Sequence, residues 1–291
     1  MENNFTKGKK RKVCLLDLDT TLYAGDTGYV IADLCIYFKE RGMFNYPCND
    51  MPKIIRDMIR NATDRTKFAK ELINFYYTGL NDHKGEGGHI DAKGPNFKTV
   101  KQNISEFWQI RGKNVWFAHA KPLIDLMHGH GYETIVISGS PREALEEAKK
   151  KKLLDYKQLY ATHPDKKRKP YQCSDSNERA TESAKNWVVS ILKEDHDFDR
   201  NKSFAFGDSE SDIPLLSAVN RANAFFVCHT KSPLEKVGET EKDLKDKKSK
   251  TRERFQKKGW NFVFVEAKKD DFKEENEIIT KVKDRLKEIE K

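Results

Sequence analysis

Residues 13–22 read Val-Cys-Leu-Leu-Asp-Leu-Asp-Thr-Thr-Leu. An apolar run ends in two carboxylates, Asp17 and Asp19, followed by Thr20 and Thr21. A desolvated carboxylate is costly unless it is hydrogen-bonded, paired or bound to a cation. If strand geometry persists to the end of the run, residues two apart point to the same side, and both acids address one small volume. Two acids on one spot suit a nucleophile and a proton donor sharing a divalent cation.

Short apolar runs continue along the chain. Strands are expected at Val13–Asp17, Glu133–Ser138, Gln158–Thr162, Ser203–Gly207, Ala224–Cys228 and Asn261–Val265. Helices are expected between them at Leu123–His128, Arg142–Lys152, Arg179–Lys193 and Ile213–Ala218. Such alternation predicts an α/β fold with a doubly wound, Rossmann-like parallel sheet, whose strands are apolar throughout because both faces are covered. The rhythm breaks between Tyr23 and Phe117. There, Val30, Ile31, Leu34, Cys35 and Phe38, then Ile54, Ile55, Met58 and Ile59, then Phe68, Leu72, Ile73 and Tyr76, then Val100, Ile104, Phe107 and Trp108 recur at helical spacing. A structureless connection of that length is not expected in a compact protein. The division is therefore a core of residues 1–22 and 118–291, with a helical domain inserted at 23–117. Glycine-rich Lys84–Gly94 reads as an exposed loop within the insert. Leu234–Lys258, dense in Lys, Glu and Asp, reads as a mobile loop or a solvated helix. The stripe Ile278, Ile279, Val282, Leu286 and Ile289 predicts a final helix packed on the sheet.

The 291 residues carry a net charge of +9, which favours acidic partners such as phosphorylated metabolites, nucleic acid or an anionic membrane, or serves solubility. No apolar stretch reaches the roughly 20 residues a membrane span needs. The basic start leads directly into a strand and is not read as a secretory signal. Five scattered cysteines without a CxxC pair point to a reducing, cytoplasmic setting and away from zinc or disulfides. Among the basic residues of 234–258 there are almost no aromatics for base stacking, so no stable nucleic-acid partner is expected.

Three further patches join the first. In Ile137-Ser138-Gly139-Ser140-Pro141-Arg142-Glu143, a strand turns into a helix. Ser140, Pro141 and Glu143 fit a helix cap, first position and capping box, leaving Ser138 and Gly139 beside a helix start that favours an anion. Lys185 sits alone on an expected helix. In Phe206-Gly207-Asp208-Ser209-Glu210-Ser211-Asp212 a second strand ends in acids, and Ser211 or Asp212 could cap the next helix. In an open parallel sheet, ligands bind outside the carboxyl ends of the strands, where these patches fall.

In this order, Asp-Leu-Asp-Thr-Thr, Ser-Gly-Ser, Lys185 and Gly-Asp-Ser-Glu-Ser-Asp resemble the four motifs of the haloacid dehalogenase superfamily of phosphohydrolases. Gly25-Asp26-Thr27, Gly259-Trp260 and the helical insert resemble its phosphoserine-phosphatase-like branch. The resemblance spans Val13 to Val265. It implies a Mg²⁺-dependent phosphatase that hydrolyses a small soluble phosphomonoester through an aspartyl phosphate. A phosphotransferase of the same family is one alternative; a nucleic-acid or anionic-surface binding protein, motivated by the net charge and the lysine-rich 234–258 stretch, is the other. Carried over by position, Asp17 resembles the nucleophile and Asp19 the general acid. The side chains of Asp17 and Asp208 and the carbonyl of Asp19 resemble the metal ligands, with Asp212 supporting the metal and Thr21 ordering the loop. Ser138, Gly139 and Lys185 resemble the phosphate-binding group. Ser140 stands where some members carry glycine, which either narrows the backbone approach or reflects the helix cap. Arg56, Arg60 and Arg65 are candidates by composition for reading the substrate.

Overall fold

The computed structural model describes residues 10–43, 72–73, 75–77, 80, 97–162, 182–195, 198–229, 259–265 and 277–291. Among these residues, one sheet contains β1 (Val13–Leu16), β2 (Glu133–Pro141), β3 (Gln158–Thr162), β4 (Phe204–Gly207), β5 (Ala224–His229) and β6 (Asn261–Val265). The spatial order is β3-β2-β1-β4-β5-β6, and every pairing is parallel. The order runs one way from β1 and the other way from β4, so the reversal lies between those two strands. Both end in the acidic motifs.

Alternation along the strands explains the two apolar layers. Val13 and Leu15 pack with Ile135, Ile137, Ala205 and Phe226 on one face. There they meet α5 (Glu182–Asp195), through Val188, Val189 and Leu192, and α6 (Ile213–Ala218). Cys14 and Leu16 pack with Val136, Phe204, Phe206 and Phe225 on the other. That layer also holds α3 (Ala120–Gly129), α4 (Arg142–Lys150) and α7 (Glu277–Glu290). In α7, the residues Ile278, Ile279, Val282 and Leu286 form the buried stripe, while the charged residues between them stay outside.

The interval after Tyr23 is helical where it is described. It includes α1 (Val30–Glu40), helical residues at 72–73, 75–77 and 80, and α2 (Phe97–Arg111). The buried positions match the helical spacing: Val30, Ile31, Leu34, Cys35 and Phe38 on α1, and Val100, Ile104, Phe107 and Trp108 on α2. The outgoing and returning chains are tied to each other. Ala24 and Gly25 donate to the Val115 carbonyl at 2.7 and 3.1 Å, and Phe117 donates to the Leu22 carbonyl at 3.0 Å. The pattern at residues 54–59, Phe68, the loop Lys84–Gly94, the charged stretch Leu234–Lys258 and the candidates Arg56, Arg60 and Arg65 lie outside the described residues.

Three local expectations need correction. β1 ends at Leu16, so strand alternation does not align Asp17 with Asp19. The chain instead turns at once, and the Leu18 carbonyl accepts the N–H groups of Thr21, Leu22 and Tyr23 at 3.2, 2.8 and 3.0 Å. β2 continues to Pro141, which itself precedes α4 in an extended conformation. Ser140 is therefore a strand residue, and no side chain caps α4. Asp212 stands at the N-cap position of α6 as expected, but its side chain makes no cap bond there; it serves the short turn before it, as the third residue of a capping box with Ser209.

Candidate active site

Asp17 begins where β1 stops. Its N–H donates to the Phe206 carbonyl at 3.0 Å, which locks the end of β1 to the end of β4. One carboxylate oxygen accepts from Lys185 Nζ at 2.7 Å, and the other lies 3.3 Å from the Thr21 hydroxyl. Lys185 reaches this point because it lies one helical turn from Val188 and Val189, on the sheet-facing side of α5. It is 3% exposed and also bonds Asp212, which is fully buried.

Asp212 organises the second acidic turn. Its Oδ2 accepts from the Asp208 and Ser209 N–H groups at 3.1 and 2.9 Å and from the Ser209 hydroxyl at 2.8 Å. The other oxygen takes Lys185. Gly207 makes room for this: a Cβ there would lie 2.4 Å from Asp212 Cβ. Asp208 is thereby turned toward the first loop, where the hydroxyls of Thr20 and Thr21 approach its two oxygens. Thr20 holds a left-handed conformation, φ 59°, unusual for a β-branched residue. His119 braces the loop from behind; its Nε2 donates to the Thr21 carbonyl at 2.8 Å.

Carboxylate oxygens of Asp17, Asp208 and Asp212 lie within 4.8 Å of one another. Asp212 is fully buried, whereas Asp17 keeps a little exposure and Asp208 is half-buried, so Asp17 and Asp208 are the pair on the open side of the cluster. The Asp19 carboxylate is turned elsewhere. It accepts from the Val30 N–H at 2.9 Å, the Ser138 hydroxyl at 3.2 Å and the Ser140 hydroxyl at 2.8 and 3.0 Å to its two oxygens.

Burial pushes the Asp17 carboxyl well above its usual range, and Asp212, Asp208 and Asp19 add to the shift; Lys185 opposes it only in part. Burial also works against the Lys185 ammonium, but Asp17 and Asp212 outweigh it and hold the lysine charged. Burial raises Asp19 too, against the pull of its donors Val30, Ser140 and Ser138. One ammonium thus faces four carboxylates, and the cluster is short of positive charge.

A family model for haloacid dehalogenase-like hydrolases matches residues 14–217, well over half of the chain. The chain belongs to the haloacid dehalogenase-like hydrolase family. None of the curated proteins compared with it matches. Among solved structures, it is similar to a protein of unknown function from Bordetella pertussis Tohama I, with 17% identity and a TM-score of 0.59 over 88% of this chain and 99% of that one. A phosphoserine phosphatase captured as a phospho-aspartyl intermediate analogue is 18% identical over 79% of this chain and 91% of that one, with a TM-score of 0.48.

For this haloacid dehalogenase-like chain, the structure joins Asp17, Thr21, Lys185, Asp208 and Asp212 in one hydrogen-bonded group. Asp19 and Ser138 form an adjoining group, bridged to the first by the Thr20 hydroxyl, which lies 2.7 Å from the Asp19 carbonyl and beside Asp208. Gly139 sits between the two serines on β2. Sequence reasoning missed Ser140, Thr20, His119 and the Val30 N–H. Ser140 lies two residues from Ser138; the β2–β3 register shifts between Ser138 and Pro141, and both hydroxyls reach Asp19. The capping-box pattern had absorbed that signal. The Val30 N–H is a backbone group at a helix start and leaves no side-chain signature.

Proposed function

We propose that this chain is a Mg²⁺-dependent phosphatase of the phosphoserine-phosphatase-like branch, acting on a small phosphomonoester through an aspartyl phosphate on Asp17. The observation that carries the reading is the meeting of Asp17 and Asp208 at the β1–β4 reversal, with Lys185 held against Asp17. The division into a core of 1–22 and 118–291 and a helical cap of 23–117 is part of the proposal. The crossing hydrogen bonds at Leu22–Gly25 and Val115–Phe117 support it.

The donor set fits Mg²⁺, which prefers carboxylate and carbonyl oxygens, and the surplus of carboxylates over ammonium calls for a cation. The carboxylates of Asp17 and Asp208 and the backbone carbonyl of Asp19 would hold it. When bound, Mg²⁺ offsets the negative charge shared by the acids and the phosphoryl group and keeps Asp17 ionised. The Asp17 carboxylate attacks phosphorus as the bond to the leaving alcohol breaks, and Asp19 gives that oxygen its proton. Asp19 then takes a proton from water, whose oxygen attacks phosphorus and frees Asp17. Lys185 and Ser138 hold the phosphoryl oxygens, supplying the charge stabilisation that dominates phosphoryl transfer. An acceptor alcohol in place of water would make the same site a phosphotransferase.

A screen of phosphorylated metabolites, with and without Mg²⁺, tests the reading. Phosphate release should require Mg²⁺, stop with a chelator, and vanish in Asp17→Asn while circular dichroism stays unchanged. Undiminished release by Asp17→Asn would rule out the nucleophile assignment.

A further inference from the structure

The Asp19 carboxylate accepts from the Val30 N–H and from the hydroxyls of Ser138 and Ser140, and among the described residues the Ser140 hydroxyl bonds nothing else. The Ser140 hydroxyl is fully buried and lies 2.8 and 3.0 Å from the two Asp19 oxygens. Its backbone N–H is already used, donating to Ser138 Oγ at 3.0 Å. That bond occupies a lone pair of Ser138 and directs the Ser138 proton toward Asp19 Oδ2. Residues 138–140 thus wrap the carboxylate, and the Val30 N–H fixes it from the side of α1. Ser138 has two claimants, however: Asp19 and, under the proposed function, a phosphoryl oxygen. When Ser138 turns to the phosphoryl group, Ser140 and Val30 are what remain on Asp19. Ser140 does not cap α4, whose N-cap position is held by Pro141.

We propose that Ser140 is a positioning residue that holds the Asp19 carboxylate in line for proton transfer to the departing alcohol. The inference rests on the phosphatase reading and goes further by giving Ser140 a role separate from phosphate binding. A misaligned general acid matters in proportion to the need of the leaving group for a proton. An alkyl phosphomonoester leaves as a poor, basic alkoxide and depends on Asp19. p-Nitrophenyl phosphate leaves as a stable phenolate and depends on it little. Because kcat/KM reports only the steps through departure of the alcohol, hydrolysis of the aspartyl phosphate, common to both substrates, drops out.

The test compares kcat/KM for an alkyl phosphomonoester, chosen as the best alkyl substrate of the unaltered protein, and for p-nitrophenyl phosphate. It uses the full chain and its Ser140→Ala and Ser140→Gly variants with Mg²⁺ present. Ser140→Ala is expected to lose roughly tenfold or more on the alkyl ester and less than about threefold on p-nitrophenyl phosphate. Ser140→Gly should show the same selective loss, and activity on p-nitrophenyl phosphate certifies folding in each variant. Equal losses on both substrates, or none on the alkyl ester, would overturn the role of Ser140 while leaving the phosphatase reading intact. Failure of the unaltered protein to release phosphate from any monoester would overturn that reading, and this inference with it.

Discussion

Glu143, at the start of α4, is a further buried carboxylate, and it lacks the support that Asp19 has. Its Oε1 has no hydrogen-bond partner among the described residues, and burial raises its pKa from the ordinary 4.5 to about 7. A raised folded-state value means that the folded chain holds this proton more tightly than the unfolded chain does. The resulting stabilisation is complete below the unfolded value and is lost as pH rises through about 7. Over that window the loss is on the order of 3 kcal/mol. Glu143→Gln, neutral at every pH, should remove this slope: urea unfolding should find the variant more stable than the unaltered chain at about pH 8 and little different at about pH 5. Parallel pH dependence in the two proteins would show that Glu143 is not neutralised by folding. Legibility at this scale followed chemistry. The meeting of Asp17 with Asp208 was readable because acids after apolar strands are costly without a purpose. Ser140 and Glu143 were misread as a helix cap because that pattern has a commonplace structural use; the extension of β2 to Pro141 gives Ser140 a different environment.

The turns between elements carry as much of the site as the side chains do. Gly25, at φ +34°, lies in the segment leaving the core, where a Cβ would come within 2.2 Å of Asp33 Oδ2. Asp33 in turn accepts from the Tyr23 hydroxyl at 2.6 Å and from the Asp26 and Thr27 N–H groups at 3.0 and 3.1 Å. That clasp folds the chain back so that α1 starts at Val30, over Asp19. Gly207 plays the corresponding part after β4. Adding a Cβ there displaces Asp212, which bonds Lys185 and both N–H groups of the acidic turn. Gly207→Ala should destabilise the fold by about 2 kcal/mol through overpacking. It should also reduce phosphate release at least about tenfold, by misplacing Asp208 and Lys185 together. Unfolding curves and release assays measure both; unchanged stability would mean that the turn has slack the geometry does not suggest. Helix and strand placement was legible because hydrophobic period reports it directly. The ends were less so: β1 stops one residue early and β2 runs three residues long, since hydrogen bonds across the sheet set those limits.

At the scale of the molecule, sheet order converts distance in sequence into proximity. β1 and β4 are neighbours although nearly two hundred residues separate their acids, and the reversal of strand order between them opens the crevice where those acids meet. An alternating pattern of strands and helices made the parallel sheet readable, whereas the order of its strands is set by tertiary packing and leaves no mark in local period. The chain leaving the Asp19 loop and the chain returning before α3 meet at two adjacent hydrogen-bonded crossings, and the Val30 N–H at the start of α1 donates to Asp19. Acid quenching of the protein during turnover of a phosphomonoester, followed by mass spectrometry of its peptides, tests the central claim most directly. The account predicts one phosphoryl group on the peptide containing Asp17, absent when Asp17 is replaced by asparagine. A phosphoryl group on a different residue, or steady turnover with no labelled peptide at any quench time, would contradict it.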